Sequence, residues 1–219
     1  MIDHLILEAE GSMKILFQGD SVTDCQRDRS DPFALGNGYV RILAEQLSAS
    51  NLVLNRGVSG NRVVDLVTRW DVDCVGLEPD ILSILIGVND VWRHFDSGSL
   101  INHRDVRNQY RKLLDRVAQL SPKLILMEPF LIPTCPDKAH FRPVLDPVIR
   151  IVRDLAVGYG ATLVPLDELF VTACAQRHAK ELAEDGIHPT DAGHRLIAEA
   201  WLGAYHSFFP SEIHHTIPT

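Results

Sequence analysis

Five short apolar runs punctuate the chain, and between them apolar residues recur every three or four positions. Short apolar runs bounded by polar or glycine-rich stretches predict buried strands, and the three-and-four spacing predicts amphipathic helices. Strands are expected at 14–18, 52–55, 81–86, 124–127 and 162–164. The run at 81–86 is interrupted by a single polar residue, Ser83, which suits a central parallel strand covered on both faces. Helices are expected at 38–49, 63–71, 103–120, 145–157, over most of 166–182, and at 191–204. In the longest of these, Val106, Tyr110, Leu113, Leu114, Val117 and Leu120 fall on one side. Residues 22–37 read as a polar loop, and 129–143, with four prolines, as a second. Alternating strands and helices predict an α/β fold: a roughly five-stranded parallel sheet between two layers of helices, α/β/α. Right-handed crossovers would bring every strand's C-terminal end to one edge. No repeat or long linker divides the chain, so 13–219 read as one domain and 1–12 as an N-terminal extension or expression remnant.

Three strand ends and one loop carry polar residues that matter if they share that edge. The first strand stops at Gly19-Asp20-Ser21. The second is followed by Gly57-Val58-Ser59-Gly60-Asn61, the third by Gly87-Val88-Asn89-Asp90, and the last helix is preceded by Asp185-Gly186-Ile187-His188. A serine hydroxyl is a poor nucleophile until a base takes its proton, and the base needs an orienting acid. The three-residue spacing of Asp185 and His188 lets one turn present both, with the second imidazole nitrogen left for Ser21. A tetrahedral acyl intermediate also needs donors aimed at its oxyanion. The Ser21 N–H, the Gly60 N–H and the Asn89 side-chain amide are the candidates. Taken singly, each element has a plainer explanation as turn or helix-cap chemistry; it is the coincidence of four on one edge that points to catalysis.

The set Gly19-Asp20-Ser21, Gly60, Gly87-x-Asn89-Asp90 and Asp185-x-x-His188 resembles the four blocks of the SGNH/GDSL hydrolase superfamily, in order and across nearly the whole chain. The resemblance implies a flavodoxin-like fold. It also implies Ser21 as nucleophile, His188 as general base, Asp185 as its orienter, and Ser21, Gly60 and Asn89 as the oxyanion hole. The Gly-x-Ser-x-Gly elbow of α/β-hydrolases is missing around Ser21. Phe17-x-Gly19-Asp20-Ser21-x-Thr23-Asp24-Cys25-x-Arg27, Ile86 to Arg93 and His188-Pro189-x-x-Ala192-Gly193-His194 are similar to the intracellular acetylxylan (xylo-oligosaccharide) esterases. That likeness implies a small acylated carbohydrate as substrate, no metal or organic cofactor, and a homo-oligomer. Just before His188, the segment Ala183 to Ile187 departs from the group by lacking the tryptophan of that loop.

Asp20, Trp92 and Arg93 are the candidate substrate-contacting residues. Asp20 also reads as a backbone-orienting neighbour of Ser21. Trp92 offers a ring face to sugar C–H groups, or anchors a loop. Arg93 binds sugar hydroxyls, or pairs with Asp90 or Asp96. His194 reads as a structural histidine in the last helix, and the remaining histidines have no metal-ligand spacing.

Composition narrows the alternatives. The 219 residues are 46% apolar and 23% charged, as expected for a globular domain. A net charge of -8 argues against nonspecific nucleic-acid binding. No apolar run is long enough to span a bilayer, and the acidic N-terminus lacks the basic region of a signal peptide. The four cysteines form no CxxC pair, which fits reduced thiols in a cytoplasmic protein. Two other readings stay open at this point: a lipolytic esterase, lysophospholipase or thioesterase acting on longer acyl chains, and a carbohydrate-binding protein without turnover.

Overall fold

The computed structural model describes residues 12–98, 100–132 and 136–209. The expected extension at 1–12 lies outside the described residues except for Ser12, as do Cys135 and the histidine pair at 214 and 215. Five strands, β1 (Lys14–Gly19), β2 (Leu52–Asn55), β3 (Ile81–Leu85), β4 (Lys123–Met127) and β5 (Thr162–Val164), form one parallel sheet in the order β2-β1-β3-β4-β5. The pairings place Phe17 beside Asn55 and Gly19 beside Leu85. The chain leaves β1 for one edge of the sheet and returns to β1's other side with β3. The crevice at their carboxyl ends is therefore the topological switch point, where ligands bind in open α/β sheets.

The two-residue period of the strands splits the core into two. Leu16, Leu54, Leu82, Ile84 and Leu126 face one side, while Ile15, Phe17, Ile81, Ile125 and Met127 face the other. The first side packs against α3 (Val63–Asp73), α5 (His103–Val117) and α6 (Arg142–Tyr159), through buried residues such as Trp70, Tyr110, Leu113 and Val152. The second packs against α2 (Tyr39–Gln46), α7 (Leu166–Ala173) and α9 (Asp191–His206), through Tyr39, Leu43, Phe170 and Trp201. The polar interruption at Ser83 is satisfied inside the core: its Oγ accepts from Trp201 Nε1 at 3.0 Å and faces Met127 Sδ at 3.3 Å.

Three short helices complete the fold, and they correct the expected pattern. The segment read as a loop from 22 begins with one helical turn, α1 (Ser21–Asp24), ended by left-handed Cys25 at φ 39°. A helix the pattern reading passed over, α4 (Val88–Asp96), follows β3 directly. Its apolar positions Val88, Val91, Trp92 and Phe95 have helical spacing, but the polar strand-end motif drew them into a loop. The 166–182 stretch breaks after α7 and resumes as α8 (Ala179–Leu182). The proline-rich segment ends in a 3-10 turn, Pro136–Phe141, that runs into α6 three residues earlier than expected. Pro143 lies in the first turn of α6, where a missing N–H leaves no helical bond unmade. Among the described residues no helix is long and apolar enough to cross a membrane.

Candidate active site

Ser21 is held at the tip of β1 by its neighbours. At Gly19 a Cβ would lie 2.2 Å from Thr23 Oγ1 and 2.5 Å from the Leu85 carbonyl, so the chain can turn there only without a side chain. Asp20, buried to 1% exposure, caps α1 by accepting the Val22 N–H at 3.1 Å. That is the backbone-orienting role read for it, and it leaves the Asp20 carboxyl beneath the surface, beside the nucleophile. Burial pushes this carboxyl up to about 7, against the opposing pull of the Val22 N–H and His188.

The loop 183–190 supplies the partners. An Ala183–Pro189 bridge closes it, and Ile132 donates its N–H to the Gly186 carbonyl at 2.8 Å. Asp185 Oδ1 accepts the N–H groups of Ile187 and His188 at 2.9 and 2.8 Å. Asp185 Oδ2 lies 2.7 Å from His188 Nδ1, and His188 Nε2 lies 2.9 Å from Ser21 Oγ. Burial opposes ionisation of Asp185, yet these hydrogen bonds hold its carboxyl well below the usual carboxylate range. An ionised Asp185 accepts from Nδ1–H, which leaves the Nε2 lone pair to accept from the serine hydroxyl. The hydrogen bond to Asp185 raises the His188 pKa; burial opposes this, the charges of Asp185 and Asp20 reinforce it, and Lys138 counters it.

The other two expected oxyanion donors stand on two other elements. Gly60 has φ +82°, in the left-handed region, and a Cβ built on it would meet nothing within 4 Å. Glycine is thus required at position 60 by its backbone angle, and the space in front of it is open. Asn89 stands in the first turn of α4, where its Nδ2 donates to the Asn61 carbonyl at 3.0 Å. One amide hydrogen is engaged in that bond and the second is left for another acceptor. The loop carrying Gly60 is tied to α1 through Asp24, whose Oδ2 accepts Ser59 N–H at 2.8 Å, Ser59 Oγ–H at 2.7 Å and Arg29 at 2.6 Å. Asp90, behind Asn89, caps α3 by accepting the Val63 N–H at 3.1 Å, and burial pushes its carboxyl up to about 6.

The candidate substrate contacts separate. Trp92 is half-buried on α4, with its ring centroid 6.4 Å from that of His188 and 6.1 Å from Phe141. Arg93 points away and pairs with Asp96 at 2.9 Å, the alternative that its sequence position had also allowed. His194 is structural in its contacts: Tyr39 N–H donates to its Nδ1 at 3.2 Å and its Nε2 faces Cys25 Sγ at 3.3 Å. Sequence reasoning had assigned no role to Lys138, which sits over the Trp92 ring at 4.8 Å and donates to the Asp185 carbonyl. Nor had it found the bonds from Asp24 and Asn61, although both residues stood inside motifs quoted for other reasons. Nothing in local pattern marked Lys138, which a proline-rich segment delivers from across the site. Among the described residues, no three His, Cys, Asp or Glu side chains are grouped to hold a metal ion.

With this geometry in place, comparison with known proteins is informative. Residues 17–196 match the GDSL-like Lipase/Acylhydrolase family. An acetylxylan esterase of Geobacillus stearothermophilus is 35% identical over 202 residues, which cover 86% of this chain and 92% of that protein. Among solved structures, a protein described as a GDSL-like lipase from Parabacteroides merdae superposes with a TM-score of 0.84 at 35% identity, covering 88% of this chain and 95% of that one. Axe2, an acetylxylan esterase from Geobacillus stearothermophilus, superposes with a TM-score of 0.80 at 34% identity, covering 89% and 94%. Axe2 has also been solved as catalytic mutants in which a serine, a histidine or an aspartate is replaced by alanine.

Proposed function

The chain belongs to the GDSL-like lipase/acylhydrolase family and is an ester hydrolase; from that premise we propose that it removes acetyl groups from small acylated carbohydrates through an acyl-serine intermediate. The observation that carries this reading is the continuous hydrogen-bonded chain Ser21 Oγ–His188–Asp185, with links of 2.9 and 2.7 Å. As Ser21 Oγ attacks the ester carbonyl carbon, His188 Nε2 takes its proton. The carbonyl oxygen becomes an oxyanion facing the N–H groups of Ser21 and Gly60 and the free Asn89 amide hydrogen. Collapse breaks the bond to the alcohol, which leaves with the proton from His188. Water then attacks the acyl-serine, giving a proton to His188; the bond from Ser21 Oγ to the acyl carbon breaks, Ser21 Oγ takes that proton from His188, and acetic acid departs.

Three features support a short acyl group on a sugar. The Geobacillus stearothermophilus relative is described as an acetylxylan esterase. The half-buried Trp92 beside His188 offers a ring face of the kind that packs on sugar C–H groups. The apolar recess walled by Asp20 and Val22, the two neighbours of Ser21, has room for only about 10 Å³ of water-sized space, too little for a long acyl chain. A single catalytic domain at 13–219, a cytoplasmic location and a homo-oligomeric assembly belong to the same reading.

The test compares wild type with Ser21→Ala on 4-nitrophenyl acetate, 4-nitrophenyl decanoate and a peracetylated xylose. Wild type is expected to deacetylate the sugar and to prefer acetate over decanoate, and Ser21→Ala to lose about six orders of magnitude in kcat. A preference for decanoate would move the assignment to long-chain lipid or thioester chemistry. Unchanged rates in Ser21→Ala would overturn the catalytic assignment.

A further inference from the structure

Arg69 lies on α3, three elements away from the nucleophile in sequence, yet its side chain is only 17% exposed and reaches under the site. Its Nε–H donates to Asn61 Oδ1 at 2.8 Å. One terminal nitrogen donates to Gln18 Oε1 and Asp73 Oδ2, both at 3.0 Å, and the other approaches the Gly19 carbonyl at 3.4 Å. Asn61 is the residue whose carbonyl holds Asn89 Nδ2 at 3.0 Å. The Gly19 carbonyl also accepts the Val58 N–H at 3.1 Å. One planar guanidinium therefore touches the end of the strand that carries Ser21 and the loop that carries Gly60, and through Asn61 it reaches the amide of Asn89.

We infer that Arg69 is a positioning residue for the oxyanion donors, setting the Asn89 amide through Asn61 and registering it against the strand end before Ser21. The inference rests on the acyl-serine reading given above. The chemistry favours arginine at this place. A buried charge is costly unless it is paired and fully hydrogen-bonded, and here burial works against the Arg69 charge while Asp73 offsets it. If joining α3 to β1 were the whole role, apolar side chains would serve as well. The rigid fork can bond several acceptors at fixed angles, which the single ammonium of lysine cannot do. Preorganised donors act only when aimed at the oxyanion's position before charge develops there, so a loosened Asn61 should cost turnover more than substrate affinity.

The experiment is a double-mutant cycle on kcat and KM with 4-nitrophenyl acetate, using Arg69→Met, Arg69→Lys, Asn61→Ala and Asn89→Ala. In the wild-type background, Arg69→Met and Asn61→Ala should each lower kcat by about 10- to 100-fold with KM within about threefold. In the Asn89→Ala background the same changes should lower kcat by less than about threefold, because the donor they position is already gone. Arg69→Lys should resemble Arg69→Met, since it keeps the charge and loses the fork. Equal losses in both backgrounds, or a near-normal Arg69→Lys, would overturn the inference. If the Arg69 variants do not fold, the Asn61→Ala and Asn89→Ala arm decides the matter alone. Ser21→Ala in the same assay separates the two levels. If it retains activity, the acyl-serine reading fails; if it is inactive while the cycle is additive, only the role of Arg69 fails.

Discussion

At the scale of single residues, the site works through the ionisation of His188. A general base must be neutral to accept the serine proton, so kcat/KM should rise with pH through the pKa of His188 in the free enzyme. The Asp185 hydrogen bond raises that pKa and burial opposes it; among the charges facing the ring, those of Asp185 and Asp20 raise it and that of Lys138 lowers it. Lys138→Gln removes a cation that disfavours protonation. Its acid limb in kcat/KM should therefore lie at higher pH than that of wild type. A limb displaced to lower pH would contradict the charge assignment. Lys138 also contacts Trp92 and the Asp185 carbonyl, so the comparison belongs on the profile's position and not on its height.

At the scale of elements, two glycines do different work, and the difference can be measured. Gly19 joins β1 to α1 where a methyl group would run into Thr23 and the β3 backbone. Gly19→Ala must push α1 off the sheet, with a stability cost of about 1–3 kcal/mol or more. Gly60 meets nothing within 4 Å, so Gly60→Ala bears only the strain of its left-handed angle, about 1–2 kcal/mol. The added methyl then stands in the open space in front of the donor. Thermal melts and kcat measured together should show Gly19→Ala losing stability and activity in parallel, and Gly60→Ala losing activity out of proportion to its melting temperature. The same scale explains what the pattern reading missed. In α4 the helical spacing of Val88, Val91, Trp92 and Phe95 was present, but it began inside a strand-end motif that already had a plausible reading as a turn. In α6 the prolines argued for a loop, although Pro143 is harmless in the first turn.

At the scale of the whole molecule, His194 joins the two ends of the chain. From α9 it reaches the start of α2 and the Cys25 thiol beside α1. Burial pushes its pKa down to about 4, with a smaller opposing effect from Asp191. The folded state therefore binds fewer protons than the unfolded chain between about pH 4 and 6.5. This contribution to stability is complete above the unfolded value and is lost as pH falls through that window. The loss is on the order of 3 kcal/mol at the bottom of the window. Urea unfolding at about pH 7 and pH 4.5 should show wild type losing more stability than His194→Gln, whose amide titrates nowhere in that range. Equal losses would mean that His194 is not held neutral. The raised pKa of Asp20 acts in the opposite direction, since a carboxyl held neutral loses its contribution as pH rises; comparing the two proteins at each pH removes that contribution.

The sequence alone determined the alternation of strands and helices, the five strand positions and the four polar blocks. These depend on local periodicity and on residue types such as Gly19, Ser21, Asn89 and His188, which keep their chemistry wherever the chain goes. Right-handed crossovers then placed the blocks on one edge by a general rule of chain geometry. Tertiary structure decided which groups touch. It placed Arg93 on Asp96, turned one Asn89 hydrogen to the Asn61 carbonyl, brought Lys138 over Trp92 and set Arg69 beneath three elements. Those outcomes depend on side-chain directions and on distances between segments tens of residues apart, and a local pattern carries no record of either. The catalytic residue types were therefore legible in the chain itself, while the supports that orient them exist only where the sheet's switch point gathers its loops.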